Sequence, residues 1–291
     1  MISSGLEADW SASPVGAQVP FLSGTELSES KHSNLSGSLD ETMHAEATQR
    51  QHYNRIAAEY EAQYGDPDGV NYRDKFLYQP LFAGLELEGK DVLEGLSGSG
   101  HATDYLLSRK RALVTGLDIS EEAIAGFKTR WPGSEAVCAS MTNSGLADES
   151  FDCVVVVMGL HHLHPHLGEA VQEIHRLLRK GGTFCFAEPH QGSAFSRLRA
   201  LWYRHDSLFA DNEESLDIAG LKREFANLFE FKLEQYVGSL AYLLVLNSMI
   251  FRVPLWLKRI YSPAAMGLER MLGGFHSPTI SLAVLCQWEK K

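Results

Sequence analysis

Residues 153–158 read CVVVVM, six apolar side chains in a row with none of the in-out alternation that a strand with one wet face shows. A run this short and this uniform suits a strand covered on both faces. The common way to cover both faces is a parallel sheet held between layers of helices. The neighbouring sequence repeats the theme. From Lys90 onward, strands are predicted at 91–95, 112–118, 135–139, 153–158 and 183–188, and helices at 101–108, 120–131 and 166–178. Helical stretches at 193–203 and 215–228 follow, then two further strand-like runs, 229–237 and 279–289, that would pair antiparallel. The expected class is α/β: a doubly wound, mostly parallel seven-stranded sheet with helices on both faces.

Around this core the composition changes. Residues 1–42 are rich in Ser, Gly and acids, with Pro14 and Pro20 and no sustained period, which predicts a disordered acidic tail. Residues 43–89 are read as N-terminal lid helices. The stretch HAEATQRQHYNRIAAEYEAQY places Tyr53, Ile56, Ala57, Tyr60 and Tyr64 on one helical face. Asp66, Pro67, Asp68 and Gly69 then stop that helix, and a second short one is expected at 73–83. The α/β core occupies 90–239. Residues 240–278 form an apolar, basic helical insertion, interrupted by Pro254 and Pro263, and 279–291 supply the final strand.

The net charge of −11 argues against a general nucleic acid binder, which needs surplus Lys and Arg facing phosphates. Charge is unevenly spread: 240–291 carry a net +4 while the preceding segments are acidic. The basic stretch coincides with the apolar insertion. It would suit a peripheral contact with an anionic membrane or lipid-like surface, with core packing or a homodimer face as the plainer readings. The four cysteines, Cys138, Cys153, Cys185 and Cys286, form no CxxC pair and lie in apolar β-like runs, which points to reduced, buried thiols in a cytoplasmic protein. No basic, then apolar, N-terminal pattern suggests a secretory signal. The longest apolar stretch, 240–251, is shorter than the roughly 20 residues that span a bilayer.

Chemistry concentrates in VLEGLSGSGHATDYLL, where Gly95, Gly98 and Gly100 stand at the change from strand to helix. Glycine there lets a ligand approach the backbone and aims the helix N-terminus at it. Asp118, in VTGLDIS at the end of the next strand, can accept hydrogen bonds from a ribose diol, so turn and acid together read as a nucleoside site. The alternative role for Asp118, capping the following helix, is already filled by Ser120.

These residues resemble the class I, Rossmann-like S-adenosylmethionine-dependent methyltransferase family, small-molecule type. VLEGLSGSG is similar to its glycine-rich first motif, GLDIS to its second, ADESFDCVVVVMGLHHL to the segment around the fourth strand, and EIHRLLRKGGTFCFAEP to the helix and strand that follow. HYNRIAAEYEAQY resembles the lid helix. The resemblance implies S-adenosylmethionine as cofactor. It directs Glu94 and the glycine turn to the methionine end and Asp118 to the ribose, with Ile119 and Met141 sandwiching the adenine and Ser140 at its edge. Met158, closing the fourth strand, joins the cofactor set. Tyr53, Tyr60 and Arg73 would cover the cofactor or neutralise its carboxylate, or else pack into the core. Two positions depart from the family pattern: Leu96 fills the first glycine slot, and Ser140 stands where an acid usually meets the adenine.

Methyl transfer from a sulfonium is an in-line displacement that positioning and desolvation can drive, helped by a general base when the acceptor is a hydroxyl or an acidic C–H. His162, just past the fourth strand, is the first candidate base and His190, after the fifth, the second. Either could instead only shape the pocket. HHLHPH lacks a completing Cys or spaced carboxylate and Pro165 splits it, so no metal is expected. The acceptor is read as small and partly apolar, methylated at oxygen or carbon. The alternatives are an enzyme of the same fold that runs a non-methylating reaction, such as a cyclisation, around a structural cofactor, or a noncatalytic binding protein. A nicotinamide oxidoreductase would need GxGxxG, whereas the spacing here is GxxGxG.

Overall fold

The structure is a computed structural model and describes residues 65–194 and 215–291. The predicted tail, the first lid helix with Tyr53 and Tyr60, and most of the predicted 193–203 helix lie outside the described residues.

Seven strands form one sheet: β1 (Asp91–Gly95), β2 (Leu113–Asp118), β3 (Glu135–Cys138), β4 (Phe151–Val157), β5 (Leu178–Pro189), β6 (Phe229–Val237) and β7 (Ala283–Lys290). Their spatial order is β3-β2-β1-β4-β5-β7-β6, and β7 runs antiparallel to both its neighbours. The expected mostly parallel, doubly wound sheet is therefore present, including the predicted antiparallel pairing of the last two runs. All of Val154, Val155 and Val156 are fully buried, because the two faces of β4 feed two separate apolar cores. Helices α3 (Thr103–Lys110), α4 (Glu121–Arg130) and α5 (Leu167–Leu177) connect the parallel strands. The strand order reverses between β1 and β4, so a crevice opens at their carboxyl ends, the usual ligand position in such sheets.

Several expectations need correcting. Asp66 and Pro67, read as a helix stop, begin a helix: the Asp66 carboxylate accepts from the N–H groups of Asp68 and Gly69, and proline suits the first helical position. Helix α1 (Pro67–Tyr72) thus starts six residues before the predicted element, passes into a π-helical stretch, Arg73–Tyr78, and closes as α2 (Gln79–Leu81). The predicted 215–228 helix shrinks to α6 (Ile218–Glu224), because the chain before it pairs with the sheet, Leu216 bridging to His190. Cys138 is exposed, unlike the three other cysteines, since β3 is the uncovered edge of the sheet.

The insertion between β6 and β7 contains α7 (Leu255–Leu272), and Pro263 lies inside this helix without breaking it. Proline in a helix interior costs about 3 kcal/mol, so packing must hold the element. It does so through buried polar contacts. Lys258 pairs with Asp66 at 2.5 Å. Glu269 accepts from the N–H of Ser239 at 2.7 Å, its hydroxyl at 2.6 Å and the N–H of Ala241 at 2.9 Å, and from the Tyr72 hydroxyl at 3.3 Å. No described helix is long and apolar enough to cross a membrane.

Candidate active site

At the carboxyl end of β1 the chain turns through two left-handed glycines, Gly98 and Gly100, at φ +53° and +84°. Gly100 is needed twice over, since a Cβ there would lie 2.5 Å from the Trp131 indole nitrogen and 2.9 Å from Phe127. Gly95 leaves a notch in which the Met141 sulfur sits, 2.7 Å from where a Cβ would be. Leu96 also stands at φ +53°, a conformation costing a branched residue roughly 1–2 kcal/mol. Its side chain crosses to β4 and packs where a Cβ on Gly159 would be, 2.9 Å away. The departure at Leu96 is thus matched by a glycine on the opposite side of the crevice.

Asp118 closes β2 and joins two loops. One carboxylate oxygen accepts from the Gly98 N–H at 2.8 Å and the other from the Ser120 N–H at 2.9 Å. Burial raises its pKa and these N–H groups oppose that rise. Ser120 itself caps α4, accepting from the Ala123 N–H at 3.1 Å, as the spacing predicts. The acid and the glycine turn therefore meet at the carboxyl edge beside the crevice, and Ile119, half-buried, follows directly.

Glu94, read as facing the methionine end, is held within the turn. Its buried carboxylate accepts from the Ala102 N–H at 2.8 Å and from the Thr103 hydroxyl, which ties the glycine turn to the start of α3. Burial lifts its pKa to about 7 against the pull of those bonds. Near it lie Tyr78 and Arg73, both buried on the π-helical stretch. Burial pushes the Tyr78 phenol up, while the Arg73 cation beside it pulls the other way and the Glu94 charge adds to the rise. A buried arginine and tyrosine side by side near the end of β1 suit a carboxylate ligand. π-Helical turns also often mark functional sites.

Two assigned residues, Met141 and His190, sit otherwise than predicted. Met141 is turned into the core against Gly95, so it cannot form one side of an adenine sandwich with Ile119. Ser140 bonds within its own turn, 2.8 Å from the Thr142 hydroxyl. His190 is buried with both ring nitrogens committed: Nδ1 accepts from the Gly192 N–H at 3.1 Å, which leaves Nε2–H to donate to the Ser281 carbonyl at 3.0 Å. A ring fixed in this way has no lone pair for a base. Met158 is half-buried at φ +56° and receives a hydrogen bond from the Tyr242 hydroxyl at 3.6 Å, linking the insertion to the end of β4.

Sequence reasoning missed Glu188. It stands next to last in β5 with no solvent exposure, and one oxygen accepts from the N–H groups of Gly159 and Leu160, at 2.7 and 2.8 Å. The other lies 2.7 Å from Nδ1 of His161. Burial lifts the Glu188 pKa to about 7, opposed by those N–H groups and by His162. A carboxylate on Nδ1 fixes the imidazole tautomer and makes Nε2 the ring's basic nitrogen. The oriented histidine is thus His161, whereas His162 stacks on it with ring centroids 3.8 Å apart. A lone acid ending an apolar strand, the pattern that singled out Asp118, would have flagged Glu188. Among the described residues no group of three or more His, Cys, Asp or Glu is placed to hold a metal ion.

Known proteins share this fold and parts of this sequence. Residues 93–186 match the family model of a methyltransferase domain. Over 115 residues the chain is 36% identical to a phthiotriol/phenolphthiotriol dimycocerosates methyltransferase of Mycobacterium tuberculosis, covering 38% of this chain and 42% of the relative. Over 126 residues it is 32% identical to a fatty-acid O-methyltransferase of Mycolicibacterium smegmatis, covering 42% and 46%. The matched stretch thus spans less than half the length of these curated relatives. A solved S-adenosylmethionine-dependent methyltransferase from Thermotoga maritima shares the fold at a TM-score of 0.57 and 18% identity, over 83% of this chain and 99% of that one. The 4+2 cyclase SpnF shares it at 0.58 and 14%, over 83% and 95%.

Proposed function

We propose that the chain, whose residues 93–186 match a methyltransferase domain, uses S-adenosylmethionine to transfer a methyl group to a small, partly apolar acceptor at an oxygen or a carbon. The observation that carries this reading is the meeting of the glycine turn and Asp118, through the Gly98 N–H, beside the crevice where the strand order reverses. A fatty-acid O-methyltransferase among the relatives supports an apolar acceptor and attack by oxygen.

The residues present fit the cofactor. Asp118 would hold the ribose, Ile119 one face of the adenine, and the backbone of 95–100 the span between. Arg73 and the Tyr78 hydroxyl would take the carboxylate at the methionine end. When bound, S-adenosylmethionine supplies an electrophilic methyl group on a sulfonium. The chain contributes positioning and exclusion of water, which suffice for much of an in-line displacement. His161 accepts the acceptor's proton at Nε2 while Glu188 holds Nδ1–H and stabilises the charge that develops on the ring.

Calorimetric titration with S-adenosylmethionine and S-adenosylhomocysteine tests the cofactor assignment. Wild type should bind both. Asp118→Ala should weaken binding at least tenfold, because hydrogen bonds to a charged group are worth about 1.5–3 kcal/mol. Undiminished binding by that variant would sink the assignment. Release of S-adenosylhomocysteine on adding fatty or hydroxylated acceptors tests the transfer itself. The second reading, a non-methylating reaction on the same fold, draws on Leu96 at positive φ and the inward turn of Met141. Product formed without stoichiometric S-adenosylhomocysteine would establish it.

A further inference from the structure

Helix α7 is amphipathic in the reverse of the usual sense. Its inward stripe is polar: Lys258, Ser262 and Glu269 are all buried, with Ala265 between them. At about 100° per residue, the opposite stripe carries Trp256, Ile260 and Met271, which are 68%, 68% and 76% exposed, and Phe275 beyond the helix end is 70% exposed. Arg259 and Arg270 lie along one flank and are exposed. The helix's one acid, Glu269, is buried on the other side.

A helix presenting apolar residues to water could in principle roll over. Here the Lys258–Asp66 pair and the donors gathered on Glu269 hold it. Breaking one buried ion pair costs on the order of a hundredfold or more in equilibrium. The outward face is therefore a fixed feature of the fold. An apolar stripe containing tryptophan, flanked by arginines and with no exposed acid of its own, matches the pattern of helices that lie in the membrane interface. The cationic flank is also opposite in sign to the chain's net charge of −11, so the attraction is local to this face.

From this complementarity we infer that the outward face of α7 docks on an anionic lipid surface, Trp256, Ile260, Met271 and Phe275 entering the headgroup boundary while Arg259 and Arg270 meet lipid phosphates. The inference stands on the face alone and does not depend on the methyl-transfer reading.

Full-length protein is sedimented with vesicles of phosphatidylcholine alone and of equal parts phosphatidylglycerol and phosphatidylcholine. Binding to the anionic vesicles only is expected, together with a blue shift of tryptophan emission that Trp256→Phe abolishes. Neutralising both arginines, Arg259→Gln with Arg270→Gln, should weaken binding about thirtyfold, on the order of fivefold per arginine. Ile260→Ser with Met271→Ser should also release the protein. These side chains are exposed, so the variants should fold, as a circular dichroism melt will check. Equal sedimentation with both vesicle types, or binding unaffected by either pair of substitutions, overturns the inference. So does a dimer by light scattering that Ile260→Ser with Met271→Ser dissolves while wild type ignores vesicles, since the face would then belong to a second copy.

Discussion

At the scale of single residues, the site is set by which backbone positions tolerate a side chain. Gly100 combines a left-handed backbone with a Cβ position already filled by Trp131 and Phe127. Gly100→Ala should cost about 2–4 kcal/mol in urea unfolding, from strain plus overpacking. Gly133→Ala, where a Cβ meets nothing within 4 Å and φ is not left-handed, should stay within about 0.5 kcal/mol of wild type. Among the histidines, orientation decides. His161→Gln should lower kcat about 10²–10⁴-fold with cofactor affinity unchanged, whereas His162→Gln should leave kcat near wild type. Equal loss in both variants would mean that no single ring acts as the base. Much of this scale was legible beforehand: the glycine turn and Asp118 follow from local spacing. The choice of His161 over His162 was not, because it rests on Glu188, 27 residues further along.

At the scale of elements, α7 shows tertiary contacts overruling propensity. Its proline and its polar inward stripe both argue against a stable helix. It persists because groups distant in sequence meet there, Lys258 with Asp66 and Glu269 with Ser239, Ala241 and Tyr72, while Tyr261, Ala265 and Met266 pack on the core. Lys258→Met removes the counter-ion of the Asp66 carboxylate, leaving it only the Asp68 and Gly69 N–H groups. It should lower stability by about 3–5 kcal/mol in denaturant unfolding. A loss below about 1 kcal/mol would mean that this pair does not hold the helix. The same reasoning accounts for α1, which the sequence reading began too late: Asp66 both caps its N-terminus and receives Lys258.

For the molecule as a whole, three buried or half-buried carboxylates set a pH dependence. Glu94 and Glu188 are raised by burial to about 7 from an ordinary 4.5. The stability that each contributes is fully present below pH 4.5 and lost as pH rises through about 7. Glu173 runs the other way. Burial raises it, but bonds from Arg176 and Ser144 outweigh that and bring it to about 2, so its contribution holds above pH 4.5 and fades toward pH 2. Together they place greatest stability near pH 5. The urea midpoint should therefore fall between pH 5 and pH 8, and Glu94→Gln with Glu188→Gln should flatten that slope. A midpoint rising across this interval would contradict the assignment.

The amino-acid sequence by itself determined the sheet's class, the place of the glycine turn and the acid that faces it. Unalternating apolar runs, glycines at strand ends and a capping serine act within a few residues, where order in the chain is also neighbourhood in space. Only the tertiary structure decided which histidine is oriented, that His190 is bound on both nitrogens, that Met141 turns inward, and which face of α7 meets water. Each of those depends on partners dozens to nearly two hundred residues away, brought together by the closing of the sheet. Helical periodicity can show that a helix has two unlike faces. It cannot say which one is buried when the buried face is held by charges supplied from elsewhere.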